Sequence, residues 1–257
     1  MRILDHISDL HFCRVDQRVV DALLERLNAD PAHLVVVSGD LTMRARRNEY
    51  RAARAFLDAL QVPWVAVPGN HDITAYYPWE RFLDPFGRWQ EFVAEDTEPV
   101  WQDEEVQVVG LNTVSRGGLH LQWENGRVPR AGLLRALRRL RRLPEGPFRV
   151  VVAHHPFLAP PDSPGTPLVV RGERALRDLA AAGVRLVLAG HLHIGYSGGY
   201  VDARSVATEE GDRLTVLQAG SAFSTRLRGE PNAYNRVVIE DGRARWTAHR
   251  WDGEAWR

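Results

Sequence analysis

Eight residues able to bind metal or move protons fall in five short segments of the chain. They are Asp9 and His11 in HISDLH, Asp40 in VVVSGD, Asn70 and His71 in VPGNHD, His154 in VVAHH, and His191 and His193 in VLAGHLH. Carboxylate oxygens, an amide oxygen and neutral imidazoles are hard or borderline donors, suited to Mn²⁺, iron or Zn²⁺ rather than to thiolate-seeking ions. Asp9 and His11 are two residues apart, as are His191 and His193, so in extended segments each pair points to one side and can converge on one ion. Asp40 supplies a single carboxylate with no acidic neighbour, placed to bridge two cations about 3.5–4 Å apart. Each fragment alone also reads as ordinary structure: Ser38-Gly39-Asp40 as a turn or cap, Gly69-Asn70 as a turn with positive φ. Their occurrence together, in this order, is the specific signal.

Apolar residues precede four of the five clusters, which puts the clusters at strand ends, where open α/β sheets place ligand sites. The first half alternates strands at Ile3 to Ile7, His33 to Val37 and Trp64 to Val67 with helices at Val19 to Asn28 and Asn48 to Leu60. That βαβαβ order implies parallel strands. Tyr76 to Trp101 is rich in aromatics and broken by prolines, and is expected to pack rather than to form a lid. Val106 to Leu111, Val150 to Ala153 and Leu186 to Ala189 read as further strands, with helices at Leu133 to Leu143 and near Glu173 to Ala182. A proline-rich loop from Pro156 to Pro167 leaves the fourth cluster directly and is a candidate pocket wall. Arg213 to Ala219, Arg236 to Glu240 and Arg243 to Arg250 look like antiparallel strands, the last two joined by the hairpin signal Asp241-Gly242. With no low-complexity linker and no internal repeat, residues 1–257 read as a single domain with two sheets.

Basic and acidic residues balance at 33 each, so the overall field gives no reason to expect nucleic acid or an anionic membrane as partner. The arginines of the Leu133 to Leu143 helix are accordingly expected to be a solvated face. All the basic residues are arginine, which excludes Schiff-base chemistry and a lysine-bearing phosphate loop. No apolar run reaches the ~20 residues of a membrane span. The start of the chain shows no signal peptide, and with the single cysteine, Cys13, expected to be a small buried residue beside the metals, the chain is read as cytoplasmic. Nothing in the sequence sets an oligomeric state.

The five segments together resemble the signature of the calcineurin-like metallophosphoesterases: Asp9-Leu10-His11, Gly39-Asp40, Gly69-Asn70-His71-Asp72, His154-His155-Pro156 and Gly190-His191-Leu192-His193. The resemblance implies an α/β fold with two mixed β-sheets packed as a sandwich flanked by helices, four layers in the order α/β/β/α, with the C-terminal strands in the second sheet. It implies that Asp9, His11, Asp40 and His193 hold one metal ion and that Asp40, Asn70, His154 and His191 hold another, as Mn²⁺, Fe²⁺/Fe³⁺ or Zn²⁺. A hydroxide bridging the ions would attack phosphorus in line with the leaving oxygen. His71 would contact the phosphate and protonate the departing alkoxide, and Asp72 would orient His71 through a hydrogen bond. His155 falls where the family varies and is expected near the pocket at most.

Within the family, HISDLHF and PGNHD look most like bacterial cyclic-nucleotide phosphodiesterases and related glycerophosphodiesterases. Small phosphodiesters, 3′,5′-cyclic nucleotides among them, are therefore the expected substrates. A nuclease or phosphomonoesterase using the same metals, and a non-catalytic scaffold of the same fold, are the alternatives. Arg44, Arg46, Arg47, Arg226 and Arg228 are candidates for steering an anionic substrate, with Arg226 preferred because its segment follows a strand beyond the last motif.

Overall fold

The computed structural model describes residues 1–116, 123–200 and 214–257. The chain opens with β1 (Arg2–Ile7), α1 (Gln17–Ala29), β2 (Leu34–Val37), α2 (Arg47–Asp58) and β3 (Trp64–Ala66). β1, β2 and β3 are parallel neighbours, with Leu4 opposite Leu34 and Val35 opposite Trp64. Helix α1 forms where Asp16 caps its first turn by accepting from the Arg18 amide, and it buries one stripe through Val19, Val20, Leu23 and Leu27.

Two short helices, α3 (Pro78–Leu83) and α4 (Gly87–Phe92), lead to β4 (Val100–Gln102) and β5 (Val106–Gly110). These are followed by α5 (Arg130–Arg142), β6 (Phe148–Val152), α6 (Gly172–Ala181), β7 (Val184–Ala189), β8 (Tyr196–Tyr200), β9 (Leu214–Gln218), β10 (Ala233–Glu240) and β11 (Arg243–Arg250). One sheet runs β11-β10-β1-β2-β3 and the other β4-β5-β6-β7-β9-β8, both mixed. Alternation along the strands builds the layers. Leu4, Val36 and Val65 face Val108, Val150 and Leu186 between the sheets. On the outer faces Val35 and Val37 meet Leu23 and Phe56, while Val151 and Val187 meet Leu140 and Leu176. This is the expected four-layer α/β/β/α sandwich. No helix among the described residues is long and apolar enough to cross a membrane.

The C-terminal strands depart from expectation. Arg213 lies outside the described residues, and β9 runs parallel to β7, antiparallel only to β8. It is covered on both faces, the condition of an interior parallel strand, and an apolar run of this length does not encode direction. β10 and β11 are antiparallel as expected, through a turn with Asp241 at φ 50° and Gly242 at φ 70°, but they extend the first sheet beside β1 rather than the second.

The aromatic stretch divides. Trp89 is buried and Phe86 and Phe92 pack on the outer core of the first sheet, whereas Tyr76, Tyr77, Trp79 and Phe82 are half or more exposed. On α5, Arg135 and Arg139 pair with Glu98 and Asp96 at 2.8 Å, in keeping with a solvated face. Cys13 is exposed rather than buried, because the turn it occupies, at φ 90°, carries it out to the surface.

One buried charge in the first sheet sets a stability prediction. Asp5 on β1 is fully buried, neither carboxylate oxygen has a hydrogen-bond partner, and the nearest cation, Arg236 Nε, is 3.8 Å away. Burial pushes its carboxyl up to about 6 despite Arg236. The folded chain therefore holds this proton more tightly than the unfolded chain, whose aspartate titrates near its ordinary value. This contribution to stability is complete below about pH 4, falls as pH rises through about 6 and is absent above. Asp5→Asn, which imitates the protonated acid, is expected to stabilise the fold at pH 8 by about 1–3 kcal/mol and to make little difference at pH 4. Urea unfolding of both proteins at the two pH values checks this, and a variant less stable at pH 8 contradicts it.

Candidate active site

All five clusters sit just past the C-terminal ends of parallel strands: Asp9 and His11 after β1, Asp40 after β2, Asn70 and His71 after β3, His154 after β6, and His191 and His193 after β7. The ladders run on into these loops, with the amide of Asp9 donating to Gly39 O at 3.1 Å and that of Gly190 to His154 O at 2.9 Å. The two sheets thus deliver their loops to one seam. Gly39 stands at φ 100°, where a Cβ would lie 2.6 Å from His154 Nδ1. A Cβ on Gly190 would lie 1.8 Å from Ser8 Oγ.

The convergence is not made by strand alternation. Asp9, His11, Asp40, His191 and His193 have φ of 53°, 49°, 54°, 79° and 61°, so each sits in a left-handed turn beyond its strand. Asp9 and His11 still reach the same cluster, but His191 and His193 part into different ones.

In the first cluster Asp9 Oδ1 lies 3.7 Å from His11 Nε2 and 3.4 Å from His193 Nε2, while Asp40 Oδ2 lies 3.6 Å from His11 Nε2. In the second, Asp40 Oδ2 is 3.4 Å from His154 Nε2, and Asn70 Oδ1 is 3.1 Å from His154 Nε2 and 2.9 Å from His191 Nδ1. Asp40 Oδ2 belongs to both. Tetrahedral ligands about 2.1 Å from an ion stand roughly 3.4 Å apart, so these spacings suit a cation at the centre of each cluster.

The tautomers make the same demand. His11, His154 and His193 place Nδ1 against the carbonyls of Thr42, Ser38 and Arg226 at 3.3, 2.7 and 2.7 Å, and a carbonyl can only accept, so Nδ1 carries the proton. Their Nε2 lone pairs then face inward, those of His11 and His193 only 3.2 Å apart. Asp9 Oδ1 is buried with no hydrogen-bond partner. Inward lone pairs and an orphaned carboxylate oxygen are stable together only around positive charge.

The titration behaviour agrees. Burial pushes Asp9 and Asp40 up, but the surrounding histidines, led by His193 for Asp9 and His154 for Asp40, carry both carboxyls below their ordinary range. His154 is pushed down by burial and held at about 9 by Asp40. His191, lowered by burial and by His154, falls to about 3. The pocket thus favours a cation between its carboxylates, and a metal ion must displace a proton there.

His71 stands at the edge of this arrangement, its ring centroid 4.9 Å from that of His11. Its Nδ1 donates to Met43 O at 2.8 Å, and Arg226 Nη1 donates to its Nε2 at 3.1 Å. Both ring nitrogens are thus engaged by protein, while His71, His11 and Asp40 each bring a possible ligand atom within 4.8 Å of the others.

A profile of the calcineurin-like phosphoesterase family matches residues 1–195. The chain belongs to that family. Members work with a dinuclear metal centre, and this member brings together His and Asp clusters able to bind such ions. Over 86 residues it is 37% identical to the glycerophosphodiester phosphodiesterase GpdQ of Enterobacter lignolyticus, a match covering 29% of this chain and 31% of that protein, under a third of the relative's length. Among solved structures it is similar to a dimetal phosphatase from Danio rerio (TM-score 0.66, 14% identity, 96% of this chain and 95% of that one). It is also similar to a purple acid phosphatase from yellow lupin seeds (TM-score 0.72, 11% identity, 100% and 52%). Identities this low speak for the shared fold alone.

In this family member Asp72 does not touch the His71 ring. Its buried carboxylate accepts from the amides of Leu41, Thr42 and Gly69 at 3.2, 2.9 and 2.9 Å, because the 3₁₀ turn at Asn70–Asp72 aims it back into the Leu41 loop. Burial, with Asp40 adding, pushes it up to about 6. Met43 O does the orienting expected of Asp72. As a backbone carbonyl it leaves no mark in the sequence. Ser8 Oγ, on Asp9 Oδ2 at 2.7 Å, was equally unannounced.

His155 is buried beside the rings of His154 and His191, with Nδ1 on Thr113 Oγ1 at 2.8 Å, and burial pushes it well down, so it stays neutral. Arg44 lies over the Tyr76 ring and Arg47 pairs with Glu91, while Arg46 is exposed at the start of α2. Arg226 and Arg228 alone of these arginines line the cavity above the clusters, about 580 Å³ in volume. The proline-rich loop forms its outer wall through Pro160, Ser163, Thr166 and Pro167, as expected.

Proposed function

We propose that the chain is a metal-dependent phosphodiesterase hydrolysing small phosphodiesters. Asp9, His11, Asp40 and His193 would hold one ion, and Asp40, Asn70, His154 and His191 the other, as Mn²⁺, iron or Zn²⁺. The carrying observation is the sharing of Asp40 Oδ2 by two clusters at the floor of a cavity whose edge bears His71 and Arg226. When bound, a metal pair supplies an acidified water as nucleophile and positive charge opposite the phosphate oxygens.

The chain's own groups do the rest. Arg226 turns from His71 Nε2 to a phosphate oxygen, where a guanidinium clamps better than it does on an imidazole. Once Arg226 has left it, His71, still donating from Nδ1 to Met43 O, takes up a proton from water at Nε2 and passes it to the departing alkoxide. Asp72 holds the loop carrying both Asn70 and His71, and so acts through position. The cavity has room for both ester arms of a diester, and the partial match to a glycerophosphodiester phosphodiesterase supports that class. Residues 1–257 act as one domain in this reading, since β10 and β11 complete the sheet that carries Asp9 and Asp40.

Protein loaded in turn with Mn²⁺, Fe²⁺ and Zn²⁺ is to be assayed on bis(p-nitrophenyl) phosphate, glycerophosphodiesters, 3′,5′-cyclic nucleotides, p-nitrophenyl phosphate and single-stranded DNA. Diester hydrolysis exceeding monoester hydrolysis and abolished by a chelator is expected. No hydrolysis of any diester with any of the metals overturns the proposal.

A further inference from the structure

Arg226 and Arg228 both line the cavity, with Leu227 between them 48% exposed. The segment is pinned at both ends. Arg226 O accepts from His193 Nδ1 at 2.7 Å, the Arg226 amide donates to Ser224 Oγ at 3.1 Å, and Glu230 Oε2 accepts from the Gly195 amide at 2.9 Å. The backbone that carries both arginines is therefore fixed beside the site. Arg226 is engaged on His71, the side where the phosphate must sit, whereas Arg228 makes no hydrogen bond or ion pair among the described residues. A phosphodiester has one negative charge at phosphorus, which bound metal ions and Arg226 would already answer.

The rest of the lining mixes polar Glu124, Ser163 and Thr166 with apolar Leu192 and Ile194, and contains no phenylalanine, tyrosine or tryptophan among the described residues.

We propose that Arg228 reads a second anionic group, a carboxylate or phosphate on one ester arm, so that the preferred substrates are compact polar phosphodiesters carrying that extra charge. This deepens the phosphodiesterase reading and rests on it. Arg228 is a specificity-determining residue in this view, binding the arm that does not react.

Glycerophosphoserine and glycerophosphoethanolamine form the decisive pair, because they differ by one carboxylate and share the ammonium that Glu124 would meet. In the metal-loaded protein kcat/KM should favour the serine diester about tenfold or more, the range of one charge-assisted hydrogen bond. In Arg228→Gln the ratio should fall toward one. As a readout of binding alone, O-phosphoserine should inhibit bis(p-nitrophenyl) phosphate hydrolysis about tenfold more tightly than O-phosphoethanolamine, again only with Arg228 present. A phosphorylated glycerophosphoglycerol, set against the unphosphorylated diester, tells a phosphate-reading site from a carboxylate-reading one. Equal rates on both members of both pairs, or a preference that survives Arg228→Gln, overturns the inference while bis(p-nitrophenyl) phosphate hydrolysis leaves the phosphodiesterase reading standing. Failure on every diester, bis(p-nitrophenyl) phosphate included, defeats both.

Discussion

Asp40→Ala is expected to lose metal and activity together. Its Oδ2 is the one ligand atom common to both clusters, within 3.4–3.6 Å of a histidine on either side, and Oδ1 also accepts the His71 amide at 2.8 Å. Removing it withdraws charge from two sites at once and frees the turn that carries Asn70. Metal content per chain, measured by plasma mass spectrometry after dialysis, should fall to one ion or fewer. Several kcal/mol of transition-state stabilisation are at stake where a metal pair clamps a phosphoryl group, so kcat/KM should drop by ~10³-fold or more. Circular dichroism should remain that of the parent, because the sheets are held by cores away from the seam. A variant with two ions and full turnover would refute the dinuclear assignment.

His71→Gln should separate turnover from metal. The ring touches no ligand atom through its nitrogens, which are taken by Met43 O and Arg226, so both ions should remain bound. Turnover of diesters with alkoxide leaving groups should fall by ~10²–10⁴-fold, the range of a general acid. Diesters with nitrophenolate leaving groups need no proton and should lose far less. That contrast is the diagnostic, since a residue that merely shaped the pocket would depress both substrates alike. Equal losses on the two leaving groups would remove His71 from the role of acid.

The candidate ligands were legible because donor chemistry is carried by residue type. Asp9, His11, Asp40, Asn70, His154, His191 and His193 all arrive at one seam, and the apolar runs before most of them marked the strand ends correctly. What was not legible is the path by which they arrive. Strand alternation is a rule for extended backbone, and these loops leave extended backbone at once. The same limit explains Asp72: proximity to His71 in sequence said nothing of a 3₁₀ turn that sends its carboxylate the other way. The direction of β9 and the sheet chosen by β10 depend on pairing partners far along the chain, which a local pattern does not record. Arg226 was picked for following a strand, and it lines the cavity beside His71. Arg228, two residues on, was named with it as a candidate, and it lines the same cavity.

The left-handed turns at the ligand positions have an implication for how this centre can vary. Aspartate and histidine are, with asparagine, the side chains that most readily tolerate positive φ after glycine, and the five positions at φ between 49° and 79° hold only those two. Coordination chemistry and backbone tolerance thus draw on one small alphabet. Replacing such a ligand by a glutamate or a cysteine, sensible on donor chemistry alone, would also ask a less tolerant residue to hold the turn. Retargeting the centre to another metal is therefore more open at Asn70 and His154, which stand at ordinary φ, than at the other five.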